Sequence, residues 1–132
     1  MNLKQLAIST VLVGIVLNAM DTIVYGFALK STFAGIAGFH NDAGMLPWFI
    51  VGDFIGALVM SWFYGIVRGS FSSGSKFGMV TGIVMTFPGM LVINMMITGS
   101  PYYLGWIFVI YGVVEYTIAG TVLGMLNKPK AA

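Results

Sequence analysis

The chain has 132 residues, of which 58% are hydrophobic and only 8% are charged, with a formal net charge of +2. Soluble domains are about 25% charged, so this composition excludes a soluble monomer and also a disordered chain. The absence of cysteine excludes disulfides, thiolate metal sites and thiol chemistry.

Four stretches are long and apolar enough to cross a bilayer as helices, since about 20 apolar residues span its core. In chain order they cover about residues 6–29, 47–67, 76–98 and 102–126. The first is too long for a signal-peptide core, so we expect it to be retained. Short connections predict antiparallel neighbours. The predicted fold is therefore all-α, an integral membrane four-helix bundle with up-down-up-down topology, forming a single transmembrane domain over residues 1–132.

Two features modify this simple bundle. Pro88 lies inside the third span, where it should kink the helix or free one backbone carbonyl. The connection from Ser31 to Leu46 is the longest loop, and its apolar part, which includes Phe33 and Phe39, is expected either at the membrane interface or folded back into the bundle.

The basic residues indicate an orientation. One side of the predicted bundle carries five of the six, and the other carries only Lys30. The five are Lys4, Arg68, Lys76, Lys128 and Lys130. Because Lys and Arg accumulate on the cytoplasmic side, this bias predicts cytoplasmic N- and C-termini. These charges form no basic patch, so nucleic-acid binding is not expected and the main partner is the lipid bilayer.

Three of the four acidic residues, Asp21, Asp53 and Glu115, fall inside predicted spans. An ionised Asp at the bilayer centre costs roughly 2.5–3.5 kcal/mol, so these side chains should face the bundle interior. Adjacent antiparallel helices would bring Asp21 and Asp53 to the same height. Burial and mutual proximity favour the neutral acid, so we expect at least one of the three to be protonated at pH 7.

Other polar side chains share helix faces or depths with these acids and can hydrogen-bond to them. They are Asn18, Tyr25, Tyr64, Asn94 and Tyr111. No Lys or Arg lies within the spans to neutralise the acids. Three interpretations remain open for this intramembrane polar cluster: an uncharged cluster that holds the helices together, a proton or cation site, and a contact for a partner subunit.

A metal site is a secondary prediction. His40 and Asp42 lie on the 31–46 connection and could join Asp21 and Asp53 around a hard cation, although a solvent-exposed histidine is the simpler interpretation. We expect no haem and no thiolate site, and the sequence identifies no other cofactor. No nucleophile, nucleotide or zinc-protease motif is present, so no catalytic residue is assigned and an enzyme is the less favoured class.

Glycines recur at the four-residue spacing that lets helices approach closely. The positions are Gly52, Gly56, Gly74, Gly78, Gly82, Gly120 and Gly124. We expect them to pack helices within the chain, and their number also makes homo-oligomerisation plausible.

Several short motifs together resemble a known group. They are Val24–Gly26, Tyr64–Gly65, Gly74–Gly78, Leu91–Asn94 and the Gly120/Gly124 pair. In these, and across nearly its whole length, the chain resembles small bacterial four-span membrane proteins known only as a domain of unknown function. The resemblance implies four helices in a bacterial inner (cytoplasmic) membrane, and it implies no activity.

Three functions are compatible with the sequence. The first is a proton- or cation-linked bundle that acts as an oligomeric transport or channel-type protein, indicated by three acids without cationic partners. The second is an accessory or scaffold subunit of a larger membrane complex, indicated by small size and small-residue faces. The third is a lipid- or quinone-binding protein or enzyme that uses Glu115 and the tyrosines.

Overall fold

The computed structural model describes residues 1–35, 44, 46–96 and 101–127, without the side chains of 93–96. The elements are α1 (Leu3–Ile23) with a π-helical turn (Val24–Ala28), the short α2 (Lys30–Ala34), α3 (Leu46–Val67) with a 3-10 turn (Arg68–Ser70), α4 (Gly74–Met96) and α5 (Tyr102–Leu126). No strand occurs in these ranges, and the predicted all-α fold is confirmed.

Local sequence determines where the helices begin. The Asn2 side chain accepts a hydrogen bond from the Gln5 N–H at 2.8 Å, and Ser73 Oγ accepts one from the Lys76 N–H at 3.2 Å. Each bond satisfies an amide that the first helical turn leaves without a backbone partner. Pro101 precedes α5, where an extended residue without an N–H costs nothing.

Among the described residues, four helices are long and apolar enough to cross a membrane: Leu3–Ala28, Leu46–Ser70, Gly74–Val92 and Tyr102–Leu126. Their outer surfaces expose large apolar side chains, with Ile55, Val84 and Ile110 each more than half exposed (57%, 63% and 65%). Such a surface is favourable against lipid and unfavourable against water. The chain is therefore a multi-pass membrane protein, and the four predicted helices are confirmed.

Contacts between residues far apart in sequence establish the antiparallel order. Asn127 Nδ2 donates to Ser9 Oγ at 3.2 Å, so the end of α5 lies beside the beginning of α1. A Cβ built on Gly65 would lie 3.2 Å from the Met1 Cβ, so the end of α3 lies there as well. We call this the termini end of the bundle, and the other the opposite end.

Helices α4 and α5 form the most extensively packed pair. A Cβ built on Gly78 would overlap the carbonyl oxygen of Tyr116, and one built on Gly120 would overlap that of Gly74. Gly82 and Gly124 face the other backbone in the same way, so all four glycines lie in the contact between α4 and α5. The two backbones approach this closely because neither helix carries a side chain at the contact.

Helix α1 packs against α3 and α5, whereas α3 and α4 meet mainly through rings near the termini end. Phe77 on α4 lies 5.0 Å from Tyr64 and 6.1 Å from Phe63, measured between ring centroids. Toward the opposite end α4 continues through Pro88, which has no N–H to donate to the Val84 carbonyl. The bundle is thus closed along α4–α5 and open between α3 and α4.

The glycines of α3 depart from the prediction. A Cβ built on Gly52 or Gly56 would meet no heavy atom of the described chain within 4 Å. Among the described residues these two glycines therefore make no close contact between helices, which differs from the prediction that they pack helices within the chain. Gly52 is exposed and Gly56 is partly buried.

We predict that Gly78→Ala destabilises the bundle by roughly 1–3 kcal/mol, because its methyl group would force α4 away from the Tyr116 carbonyl. Detergent-induced unfolding of the purified protein measures this change. Gly89→Ala is the matched control, since a Cβ there meets nothing within 4 Å. Equal unfolding free energies for the two variants would contradict the α4–α5 contact.

Candidate functional site

Asp21, near the end of α1, is the centre of the polar cluster. The Tyr111 hydroxyl of α5 donates a hydrogen bond of 2.7 Å to Asp21 Oδ1. The side chains of Glu115 and Asp53 also lie within hydrogen-bonding reach of the Asp21 carboxyl. Three helices, α1, α3 and α5, therefore each contribute a carboxyl group to one place.

Helical spacing explains how the cluster assembles. Tyr111 and Glu115 are four residues apart on α5, so both side chains point to the same neighbour, α1. Asp53 lies in the first half of α3 and Asp21 in the last turn of α1, so antiparallel packing brings them to one height, as the sequence predicts. Glu115 is buried (7% exposed), and the partly buried Asp21 and Asp53 line a cavity between the helices that is open on one side.

The cavity has a volume of about 540 Å³ and lies between the opposite-end halves of the helices. Its polar wall contains Asn18, Asp21, Thr22, Asp53 and Thr86. Two of these groups are already used: Asn18 donates to the Gly14 carbonyl at 3.0 Å and Thr86 to the Gly82 carbonyl at 2.7 Å. Asp21 and Asp53 are the acidic groups of the described wall, which also contains Thr22 and the Asn18 amide oxygen.

The rest of the wall is apolar and aromatic. Tyr25, Phe33 and Phe108 line the cavity, and their ring centroids lie 5.7–5.8 Å from one another. Phe33 is only 2% exposed, so the beginning of the 31–46 connection folds back into the bundle. Tyr25 also packs edge-on against Tyr111 at 5.5 Å, which joins this aromatic wall to the Asp21 hydrogen bond.

The π-helical turn Val24–Ala28 carries Tyr25 into this wall. Within the turn the Leu29 N–H bonds to the Val24 carbonyl at 2.8 Å, which is five residues back instead of four. Such a turn shifts the following side chains around the helix axis, and it occurs often at functional sites.

The structure joins most of the predicted cluster but not all of it. Asn18, Tyr25 and Tyr111 lie with the three acids. Tyr64 does not, which corrects its assignment: it lies on the same α3 face as Asp53 but eleven residues later, at the termini end against Phe77. The Asn94 side chain, His40 and Asp42 lie outside the described residues.

Within the described ranges, no three His, Cys, Asp or Glu side chains have the arrangement of a metal site. The described residues that line the cavity include no Lys, Arg or His. The cluster brings together three carboxyl groups and a tyrosine hydroxyl, which are groups that can donate and accept protons. The described wall of the cavity is acidic and contains no basic side chain.

Sequence reasoning missed the residues of α4 and α5 that complete the cavity, chiefly Thr86, Met90 and Phe108. They are ordinary apolar or small polar residues of a membrane helix. The sequence did contain one signal, the glycine at position 112 beside Tyr111. In the structure a Cβ built on Gly112 would overlap the Thr86 methyl group, so this glycine lies where α4 crosses α5 beside the cluster.

Comparison of the chain with protein-family models, with curated proteins and with solved structures finds no match.

We predict that Tyr111→Phe changes the environment of one carboxyl group without unfolding the protein, because it deletes the hydroxyl that donates to Asp21. Infrared difference spectra over a pH titration should show an altered carboxyl stretching band, and Asp21→Asn should remove the same band. Tyr103→Phe, an exposed tyrosine of the same helix, is the control. A Tyr111→Phe spectrum identical to the parent would contradict the hydrogen bond.

Proposed function

We propose that this chain is a proton-linked transport protein of the membrane, in which Asp21 together with Asp53 and Glu115 takes up and releases the proton. The observation that carries the proposal is the meeting of three carboxyls from three helices beside a cavity. Ionisable residues inside membrane spans are costly, and they commonly mark proton relays and substrate paths.

Electrostatics favours a proton as the ion. Three ionised carboxylates, two of them beside Asp21, would repel one another strongly in a medium of low dielectric constant. A proton shared with Asp21 relieves this repulsion, and no cationic side chain is found among the described residues of the cavity wall. A change in proton occupancy then alters the attraction between α1, α3 and α5.

The bundle also contains a place where such a change can act. Helix α3 is held to α4 mainly by rings at the termini end, so the two can separate further at the opposite end without breaking the glycine contacts of α4–α5. The open face at Gly52 and Gly56 supports assembly with a second copy of the chain, which would enclose a path that four helices alone make narrow.

The membrane we propose is the bacterial inner membrane, with both termini in the cytoplasm, as the Lys and Arg distribution favours. Because the chain has no cysteine, single thiols report its orientation directly. An impermeant thiol reagent applied to spheroplasts should label Ala34→Cys and not Ser72→Cys. Labelling of Ser72→Cys alone would reverse the orientation.

We predict that liposomes containing the protein dissipate an imposed pH gradient and that Asp21→Asn reduces this flux to the level of protein-free liposomes, because the central carboxyl is lost. A pH-sensitive dye inside the liposomes measures the flux. Asp21→Glu, which keeps a carboxyl group, should restore part of it, and Tyr103→Phe should leave it unchanged.

Equal flux from the parent and Asp21→Asn would overturn the proposal, and so would the absence of flux from the parent. If, in that case, mild detergent extraction recovers a second membrane protein in stoichiometric amount, the alternative of an accessory subunit is favoured. Its contact would then be the unfilled Gly52–Gly56 face of α3.

A further inference from the structure

The cavity beside Asp21 has the dimensions of a binding site for a small organic molecule. Its volume of about 540 Å³ falls within the range of roughly 300–1,000 Å³ that ligand pockets occupy. Residues from α1 to α5 contribute to its wall, so an occupant would contact every helix of the bundle. A proton path alone requires no space of this size.

The charged groups of the described cavity wall are all acidic. Asp21 and Asp53 supply carboxyl oxygens, while Asn18 Nδ2 and Thr86 Oγ1 each donate a hydrogen bond to the backbone of their own helix. An anionic occupant would find carboxylates, and the described wall offers it no basic side chain. A cationic occupant would find the opposite charge in a medium of low dielectric constant, where the attraction is strong.

The remaining wall fits the apolar body of such a cation. Tyr25, Phe33 and Phe108 present ring faces and edges, and aromatic faces attract organic cations. Met85 and Met90 lie on the α4 side, and their unbranched, polarisable side chains adapt to different apolar shapes.

From this charge complementarity we infer that the cavity binds a lipophilic organic cation, a molecule with one positive charge on an aromatic or alkyl body. This names the substrate class of the proposed transport protein and therefore rests on that function. The cation would occupy the cavity beside Asp21 and Asp53 and replace the proton there as their counter-charge.

The test compares two probes of the same shape and opposite charge. Tetraphenylphosphonium is a lipophilic cation and tetraphenylborate is its anionic counterpart. Equilibrium dialysis against the purified full chain in neutral detergent, with protein-free micelles as the blank, measures saturable binding of each. We expect tetraphenylphosphonium to saturate at one site per chain and tetraphenylborate to show no saturable binding.

Two variants locate the site. Asp21→Asn should weaken tetraphenylphosphonium binding by about tenfold or more, since it removes the central charge. Gly89→Leu should also weaken it by filling the cavity while every carboxyl remains, because Gly89 lines the wall and has open space before it. Gly69→Leu is the matched control at the termini end, where a Cβ also meets nothing within 4 Å, and its affinity should equal that of the parent. Circular dichroism establishes that each variant is folded.

The outcomes separate this inference from the proposed function. Proton flux without saturable tetraphenylphosphonium binding overturns the inference and leaves proton transport intact. Binding that depends on Asp21 and Gly89, without any flux, supports the cation site and overturns transport. Equal binding of the two probes, or binding unaffected by both Asp21→Asn and Gly89→Leu, overturns the cation site.

Discussion

The structure depends on one constraint: apolar membrane-spanning helices carry three carboxyl groups whose exposure to lipid would be costly. Asp21 meets this constraint by lying between Glu115 and Tyr111 on α5 and Asp53 on α3. The polar contacts hold α1 between its two neighbours, and the apolar core of Val13, Leu17 and Ala119 packs along the same helices. The contacts that bury the acids therefore also hold α1 against α3 and α5, while glycines hold α4 against α5.

The bundle is asymmetric because its glycines are used unequally. Gly78 and Gly120 bring the α4 and α5 backbones into contact, whereas Gly52 and Gly56 on α3 meet no other helix closely in the described chain. Helices α4 and α5 pack closely along their length, whereas α3 and α4 meet through rings at the termini end only. The cavity lies in the space that this difference leaves. The same asymmetry leaves Gly52 and Gly56 of α3 without a close contact among the described residues, and this is where we propose that a second copy of the chain binds.

The proposed proton exchange and the proposed cation site use the same carboxyls, and this is physically consistent. A negative site in a medium of low dielectric constant needs a counter-charge, and a proton and an organic cation are alternative ways to provide it. If both bind, each must displace the other, and that competition would couple their movements across the membrane.

The sequence by itself determined the apolar environment and the four helices, because the cost of placing unpaired backbone groups in lipid leaves few alternatives. The shared height of Asp21 and Asp53 also followed from helix length and antiparallel order. Only the tertiary structure decided that Tyr64 lies apart from the cluster, that Gly52 and Gly56 make no close helix contact within the described ranges, and that Phe33, Met90 and Phe108 complete a cavity. The reason is that an apolar side chain is about as favourable in contact with lipid as in contact with another helix. The residue type therefore does not indicate which of the two it contacts.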